Sequence, residues 1–248
     1  VKIAVCMKQV PDSETKIVIK EGGKWIDDTG VNYIINPYDE FAIEEALRIQ
    51  EKAGGEVIAV SLGPDRSINA IRTALAMGVH SGIHIKTSTM YIGLSAAKLL
   101  AEALKPLNAD LILFGKQAID DDNMQIGPMV AELLNLPAVT VVSKLTITHT
   151  GGTAEREIEG GKEIIEFSLP AVVTAQKGLN EPRYPSLKGM MMAKSKPITS
   201  LTPAEIVSGI TIIGIEYPPK RQAGKIFTTG ADAVPDVVRL LREEAKAV

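Results

Sequence analysis

Cysteine is almost absent. A single residue, Cys6, in 248 excludes a disulfide framework and fits a reducing compartment. Aromatic residues make up only 4%, with one tryptophan, too few for a base-stacking surface. Excess charge is missing as well: 27 Lys+Arg against 30 Asp+Glu leave a net charge of −3, so no global field attracts a phosphate backbone. No apolar run approaches the ~20 residues that span a bilayer. Nucleic acid and direct membrane insertion are therefore not expected. The opening Val1–Val10 has no cleavage site and reads as a first strand rather than a targeting segment. Histidine is scarce too. His80 and His84 flank Gly82 at a turn into a strand, and His149 stands beside a hairpin turn. All three read as surface or turn residues rather than metal ligands. No nucleophile elbow, Walker loop or dinucleotide fingerprint occurs, so no metal site and no catalytic residue are expected.

What the chain does have is alternation. Short apolar runs at Ile3–Met7, Val57–Leu62, Gly82–Ile85, Ala109–Phe114, Ala138–Val142 and Ala171–Ala175 suit strands buried on both faces. Helical patterns lie between them at Tyr38–Lys52, Asp65–Met77, Tyr91–Leu104 and Gln125–Leu134, the third with Ser88 or Thr89 available as its cap. The expected class is α/β: an open, mostly parallel sheet with helices on both faces. Hairpins are expected at Lys16–Ile26 around Glu21-Gly22-Gly23, and at Lys144–Leu169 as an antiparallel addition to the main sheet. After Leu187 prolines break the pattern, leaving a strand-like Ile210–Tyr217 and a helical Asp232–Lys246. This divides the chain into an α/β domain, residues 1–187, and an extended arm, residues 188–248, that rests on other surfaces.

Loops leaving the carboxyl ends of strands are where open α/β sheets bind ligands. Lys116-Gln117-Ala118-Ile119-Asp120-Asp121-Asp122-Asn123-Met124-Gln125-Ile126-Gly127 is such a loop, entering a helix whose first N–H groups could meet a phosphate. Its three aspartates repel phosphate and so must cap the helix, bind ribose hydroxyls or face water. Asn36-Pro37-Tyr38-Asp39, Leu62 and Cys6 lie at neighbouring strand ends. A second loop, Gln176–Leu187, is too proline-rich for a helix. In it Leu179 either anchors in a partner's pocket or folds back onto its own domain. Lys188, Lys194 and Lys196 form a local basic patch, either solvated or steering an acidic partner.

Several of these segments, in order, resemble the beta subunits of electron transfer flavoproteins. They are Val5–Val10, Asn36–Asp39, Arg72–Gly78, Gly115–Asp122, Glu155–Ile158, Leu169–Ala175, Leu179–Tyr184 and Met192–Lys194. The resemblance implies an adenine-nucleotide-binding, Rossmann-like domain. Its pocket, formed by Cys6, Asn36 through Asp39, Leu62 and Lys116 through Gly127, would hold a structural AMP. It implies a heterodimer whose alpha subunit carries most contacts to FAD and receives the C-terminal arm. Leu179, Asn180, Glu181, Pro182, Arg183 and Tyr184 match the loop that docks acyl-CoA or related dehydrogenases. A quinone-linked oxidoreductase would accept the electrons. The setting would be a bacterial cytoplasm, or the mitochondrial matrix if an import sequence was removed. One departure is Ile126, where many AMP-binding members have threonine. With Gly127-Pro128 it is similar to electron-bifurcating relatives, which hold a second FAD in place of AMP and oxidise NADH. Those tend to have glycine within the aspartate run and a different docking loop. A stand-alone nucleotide-binding regulatory module of the same fold is the third reading.

Overall fold

The computed structural model describes residues 1–220 and 223–248. In chain order the elements are β1 (Lys2–Cys6), β2 (Gln9–Pro11), β3 (Tyr33–Ile35), α1 (Pro37–Ala53), β4 (Glu56–Gly63) and α2 (Ser67–Met77). There follow β5 (Ser81–Lys86), α3 (Leu94–Leu104), β6 (Leu111–Gly115), α4 (Ile126–Leu134) and β7 (Ala138–Ile147). The chain continues through β8 (Gly151–Ile158), β9 (Gly161–Ser168), β10 (Ala171–Ala175), α5 (Leu187–Ala193), β11 (Ile198–Leu201) and α6 (Val234–Glu243). Local chemistry explains several of the boundaries. Pro37 opens α1, where a fixed φ suits the first turn and no N–H is needed. Gly54, at φ 72°, ends it.

Nine strands form one sheet in the order β11-β5-β4-β1-β6-β10-β7-β8-β9. Neighbours from β11 to β7 pair in parallel, and β8 and β9 add an antiparallel end. Alternation along the central strands divides the core. Ile3, Val5, Leu111 and Leu113 meet α1 and α2 on one face. Ala4, Cys6, Ile112 and Phe114 meet α3 and α4 on the other. Each such fully buried large side chain contributes about 1.5–3 kcal/mol. No helix among the described residues is long and apolar enough to cross a membrane.

The structure departs from several of the sequence expectations. Ala138–Val142 and Lys144–Thr148 belong largely to one strand, β7, interrupted by a bulge. There Val141 takes φ 60°, and its N–H donates to Thr174 Oγ1 at 2.9 Å. The hairpin at Lys16–Ile26 is reduced to a single bridge, Ile19 to Ile26. Ile210–Tyr217 is not a strand. It lies along that turn, held by Ile215 N–H donating to Gly23 O at 2.7 Å and Ile19 N–H donating to Tyr217 Oη at 2.9 Å. Neither Ser88 nor Thr89 caps α3, which starts later, after Gly93 at φ 56°. His84 is fully buried on β5 rather than at the surface, with Nε2 against the Gly63 carbonyl at 3.0 Å.

Beyond Leu187 the chain still contributes to the sheet. The α5 helix lies on α2, and β11 pairs with β5 before the chain leaves at Leu201. Two side chains fasten this segment. Arg72 Nη1 donates to the Ala193 and Lys196 carbonyls, at 2.5 and 2.8 Å. Lys196 Nζ donates to the Leu75 and Val79 carbonyls at the end of α2, at 2.9 and 2.6 Å. Lys196 is therefore a helix cap, a favourable site for a cation, and not part of a free basic patch. Past Leu201, α6 buries none of its residues, and Val234, Val238 and Leu241 remain exposed.

Candidate functional site

The strand order reverses at β1, which has β4 on one side and β6 on the other. Loops leaving β1 and β6 therefore diverge and open a crevice at the carboxyl edge. One carboxylate spans its floor. Asp39 Oδ2 accepts from the Lys8 N–H at 2.7 Å, just beyond β1, and Oδ1 accepts from the Gly115 N–H at 3.0 Å, at the end of β6. Gly115 has no room for a side chain: a Cβ would lie 2.4 Å from Asp39 Oδ1 and 2.6 Å from the Tyr38 carbonyl carbon. Asn36, also fully buried, grips the next loop. Its Nδ2 donates to Gln117 O at 2.8 Å, and its Oδ1 accepts from the Ile119 N–H at 3.1 Å. The entry to α1 thus shapes both lips of the crevice.

Burial raises the Asp39 carboxyl to about 7, against the opposing pull of its N–H donors and the Lys8 charge. Between its ordinary value of 3.8 and about 7, the folded chain keeps a proton that the unfolded chain has released. This contribution to stability is complete below the unfolded value and is lost as pH rises through the folded one, at up to about 1.4 kcal/mol per unit. Thermal unfolding from pH 4.5 to 7.5, with D39N as reference, should show the native protein losing more on alkalinisation. A pH-independent difference between the two would contradict this. Burial first, and then the Asp39 charge, push the Cys6 thiol well above its ordinary value. Cys6 is consequently an inert apolar wall.

The three aspartates are exposed, the water-facing alternative of the sequence analysis, and they do not cap the helix that follows. Lys8 Nζ donates to Asp120 at 2.8 Å and to Asp121 at 3.3 Å, while Asp122 accepts from the Gln117 side-chain amide. Left-handed backbone at Asp122 (φ 49°) and Met124 (φ 51°) turns the chain back towards the sheet. The helix that follows, α4, has no side-chain cap. Gly127 lets its first turn approach the sheet, since a Cβ there would sit 2.6 Å from Thr174 Cγ2.

Cys6, Asp39, Leu62, Lys116, Gln117, Ala118, Asp121, Asn123, Met124, Gln125, Ile126 and Gly127 come together around a narrow pocket of about 90 Å³. Lys8, Leu62, Asp121, Asn123 and Gln125 also line an adjoining, wider cleft of about 520 Å³. Asp120 lines only the wider cleft. Asn36, Pro37, Tyr38, Ile119 and Asp122 line neither and support the wall from behind. Tyr38 carries Lys116 Nζ 4.9 Å above its ring. Sequence reasoning passed over Lys8, Leu100 and Phe114, which also line the pocket. The signals for Lys8 were a cation directly after a buried strand and its place in the resembling segment Val5–Val10. The donor set suits an adenine nucleotide. Leu62, Leu100 and Phe114 offer apolar contact to a base, and the uncapped α4 offers N–H groups to a phosphate. Gln117 Oε1, buried and without a partner among the described residues, can accept from an amino or hydroxyl group.

On the α1 side of the sheet, the second loop is bolted to that helix. Leu179, which the sequence left either anchoring in a partner or folded back onto its own domain, is half-buried against the core cluster. Asn180 and Arg183 also turn inward. Asn180 Nδ2 donates to Phe41 O and Glu45 Oε2, both at 3.0 Å. Arg183 donates to Glu44 from its backbone N–H and from Nε, at 3.1 and 2.7 Å, and also reaches Glu51. Burial raises the Glu44 carboxyl, but Arg183 and Arg48 outweigh it and hold it below its ordinary value. Tyr184, by contrast, is 94% exposed; Pro182 is partly exposed and Glu181 exposed.

Residues 24–206 match the family model described as "Electron transfer flavoprotein domain". The chain belongs to the electron transfer flavoprotein family, among its beta subunits. A "subunit beta" from Syntrophomonas wolfei is 44% identical, over 90% of this chain and 88% of its own. One from Bacillus subtilis is 42% identical over 98% of both chains. A relative from Arabidopsis thaliana, whose name adds "mitochondrial", is 41% identical over the full length of both. Membership gives the reversal crevice and the bolted loop their functional context, since beta subunits of this family take part in electron transfer.

Proposed function

We propose that this beta subunit binds AMP in the switch-point pocket as a scaffold and pairs with an alpha subunit that holds most of the FAD. Acyl-CoA or related dehydrogenases deliver electrons to that flavin, and a quinone-linked oxidoreductase receives them. The observation that carries the nucleotide assignment is the junction of an apolar wall, an uncapped helix start and the unpartnered Gln117 Oε1. Asp39 and Asn36 hold the pocket's lips in place without being consumed. When bound, the flavin supplies the redox chemistry. This chain's residues bind the nucleotide, exclude water from it and present the docking loop. The exposed apolar residues of the arm, Val207, Ile213 and Ile226, and those of α6 supply surface for the alpha subunit.

A flavin and AMP count on the purified, denatured heterodimer tests the assignment. One FAD and one AMP per heterodimer are expected; two flavins would overturn it. The alternative, a second FAD with NADH oxidation, is favoured by one observation. The wider cleft, about 520 Å³, adjoins the narrow pocket and extends past Trp25, Arg66 and Tyr91. For the docking loop, Leu179→Ala should slow reduction of the heterodimer by an acyl-CoA dehydrogenase about tenfold, with the flavin spectrum unchanged. Unaltered kinetics would remove the docking role.

A further inference from the structure

The docking loop has little backbone structure of its own. After β10 the main chain makes two backbone bonds, Gln176 N–H to Val142 O at 2.9 Å and the turn bond Leu179 N–H to Gln176 O at 3.2 Å, and the next is Met190 N–H to Ser186 O, at the start of α5. Across Asn180–Pro185 the conformation is set by side chains, nearly all of them on one face of α1. Glu44 is only 2% exposed and accepts four bonds: from Arg183 N–H, Nε and Nη2, at 3.1, 2.7 and 3.1 Å, and from Arg48 Nε at 2.7 Å. Glu45, one residue on, accepts from the buried Asn180. Arg48, one turn later, donates from Nη2 to Glu181 O at 3.3 Å, and Glu51, a further turn on, takes the other side of the Arg183 fork. A loop contact needs no such support. A buried carboxylate satisfied at every lone pair is an expensive arrangement to form, and it survives only where the whole set of partners is present.

We propose that Glu44, through Arg183, is a positioning residue that pre-sets the docking loop in the conformation its redox partner binds. It does not touch the partner itself. This rests on the docking reading above and assigns the loop's affinity to preorganisation rather than to contact area alone. An unfastened loop must be ordered at the moment of association, and the side-chain freedom lost then weakens binding. Planar guanidinium geometry matters here, because a lysine keeps the charge but cannot span two carboxylates in a fixed fork.

The test uses the intact heterodimer as electron acceptor for a purified acyl-CoA dehydrogenase reduced by its acyl-CoA. E44Q and R183K should each raise the KM for the heterodimer about tenfold, equivalent to about 1.4 kcal/mol, with kcat within about twofold and the flavin spectrum unchanged. Adding E44Q to L179A should raise KM no further, because both act through the same loop; a general loss of structure would make the two effects multiply. Should E44Q fail to assemble, R183K carries the test, since Arg183 is a third exposed. If L179A raises KM while E44Q and R183K leave it alone, or if the effects of E44Q and L179A multiply, positioning by Glu44 is overturned and docking stands. If L179A itself leaves KM unchanged, the docking reading falls and the inference falls with it.

Discussion

Gly115→Ala is expected to lower the melting temperature of the heterodimer by about 6–12 °C and to release the nucleotide proposed for the pocket during purification. The added methyl would meet Asp39 Oδ1 at 2.4 Å, the Tyr38 carbonyl carbon at 2.6 Å and the Asp39 nitrogen at 2.7 Å. Two of these three are backbone atoms of the first turn of α1, so no rotamer change relieves them. Either the Asp39 bridge to the end of β6 breaks or α1 moves off the sheet, and either costs about 3 kcal/mol or more. Differential scanning calorimetry together with an AMP count on the same sample checks the expectation. A variant that melts normally and keeps its nucleotide would show that the crevice floor is more compliant than its geometry implies.

Asn36→Ala should be nearly as damaging, for a different reason. Asn36 both donates to Gln117 O and accepts from Ile119 N–H, so its removal leaves two backbone groups of the pocket loop unpaired. Unsatisfied buried groups cost about 1–3 kcal/mol each. The loop residues Lys116–Gly127 would then sample conformations that no longer close the pocket, and nucleotide affinity should fall by about tenfold or more. Asn36→Asp is the sharper variant. A carboxylate still accepts from Ile119 but cannot donate to Gln117, and it sets a charge against the Gln117 carbonyl oxygen. Isothermal titration of the nucleotide-stripped heterodimer with AMP measures the effect. Equal affinity for native protein and N36D would sink the clamp role.

Asn36 and Asp39 belong to the entry of α1, and the docking loop is fastened farther along the same helix, at Glu44, Glu45, Arg48 and Glu51. One rigid element therefore carries the floor of the pocket and the seat of the loop. Seventeen residues of regular hydrogen bonding hold their spacing constant.

Much of the architecture was legible before any coordinates. Apolar runs of four to six residues between helical periodicities specify buried parallel strands and their covering helices, because the periods of burial differ for the two element types. Proline at the start of α1 and glycine after its end mark boundaries through backbone dihedrals alone. The pocket segments were also readable as strand-end loops, and their order along the chain carried the family resemblance. Ile210–Tyr217 misled because a β-branched, apolar composition is not sufficient for a strand. With no adjacent ladder the segment gains only isolated bonds to Gly23 and Ile19.

Local pattern could not reveal which distant groups meet. Lys8 lies 112 and 113 residues from the two aspartates it pairs with, and Asp39 joins strand ends 31 and 76 residues away. Arg183 and Asn180 looked like surface recognition residues until the fold set Glu44 and Glu45 beneath them, more than 130 residues earlier in the chain. His84 looked exposed until β4 and β5 came into register and placed it against Gly63. Sequence alone determined the element types, because these follow from burial periodicity within a few residues. The tertiary structure decided the partners of the polar side chains, because a hydrogen bond reaches about 3 Å and only the packed sheet determines what lies within that distance.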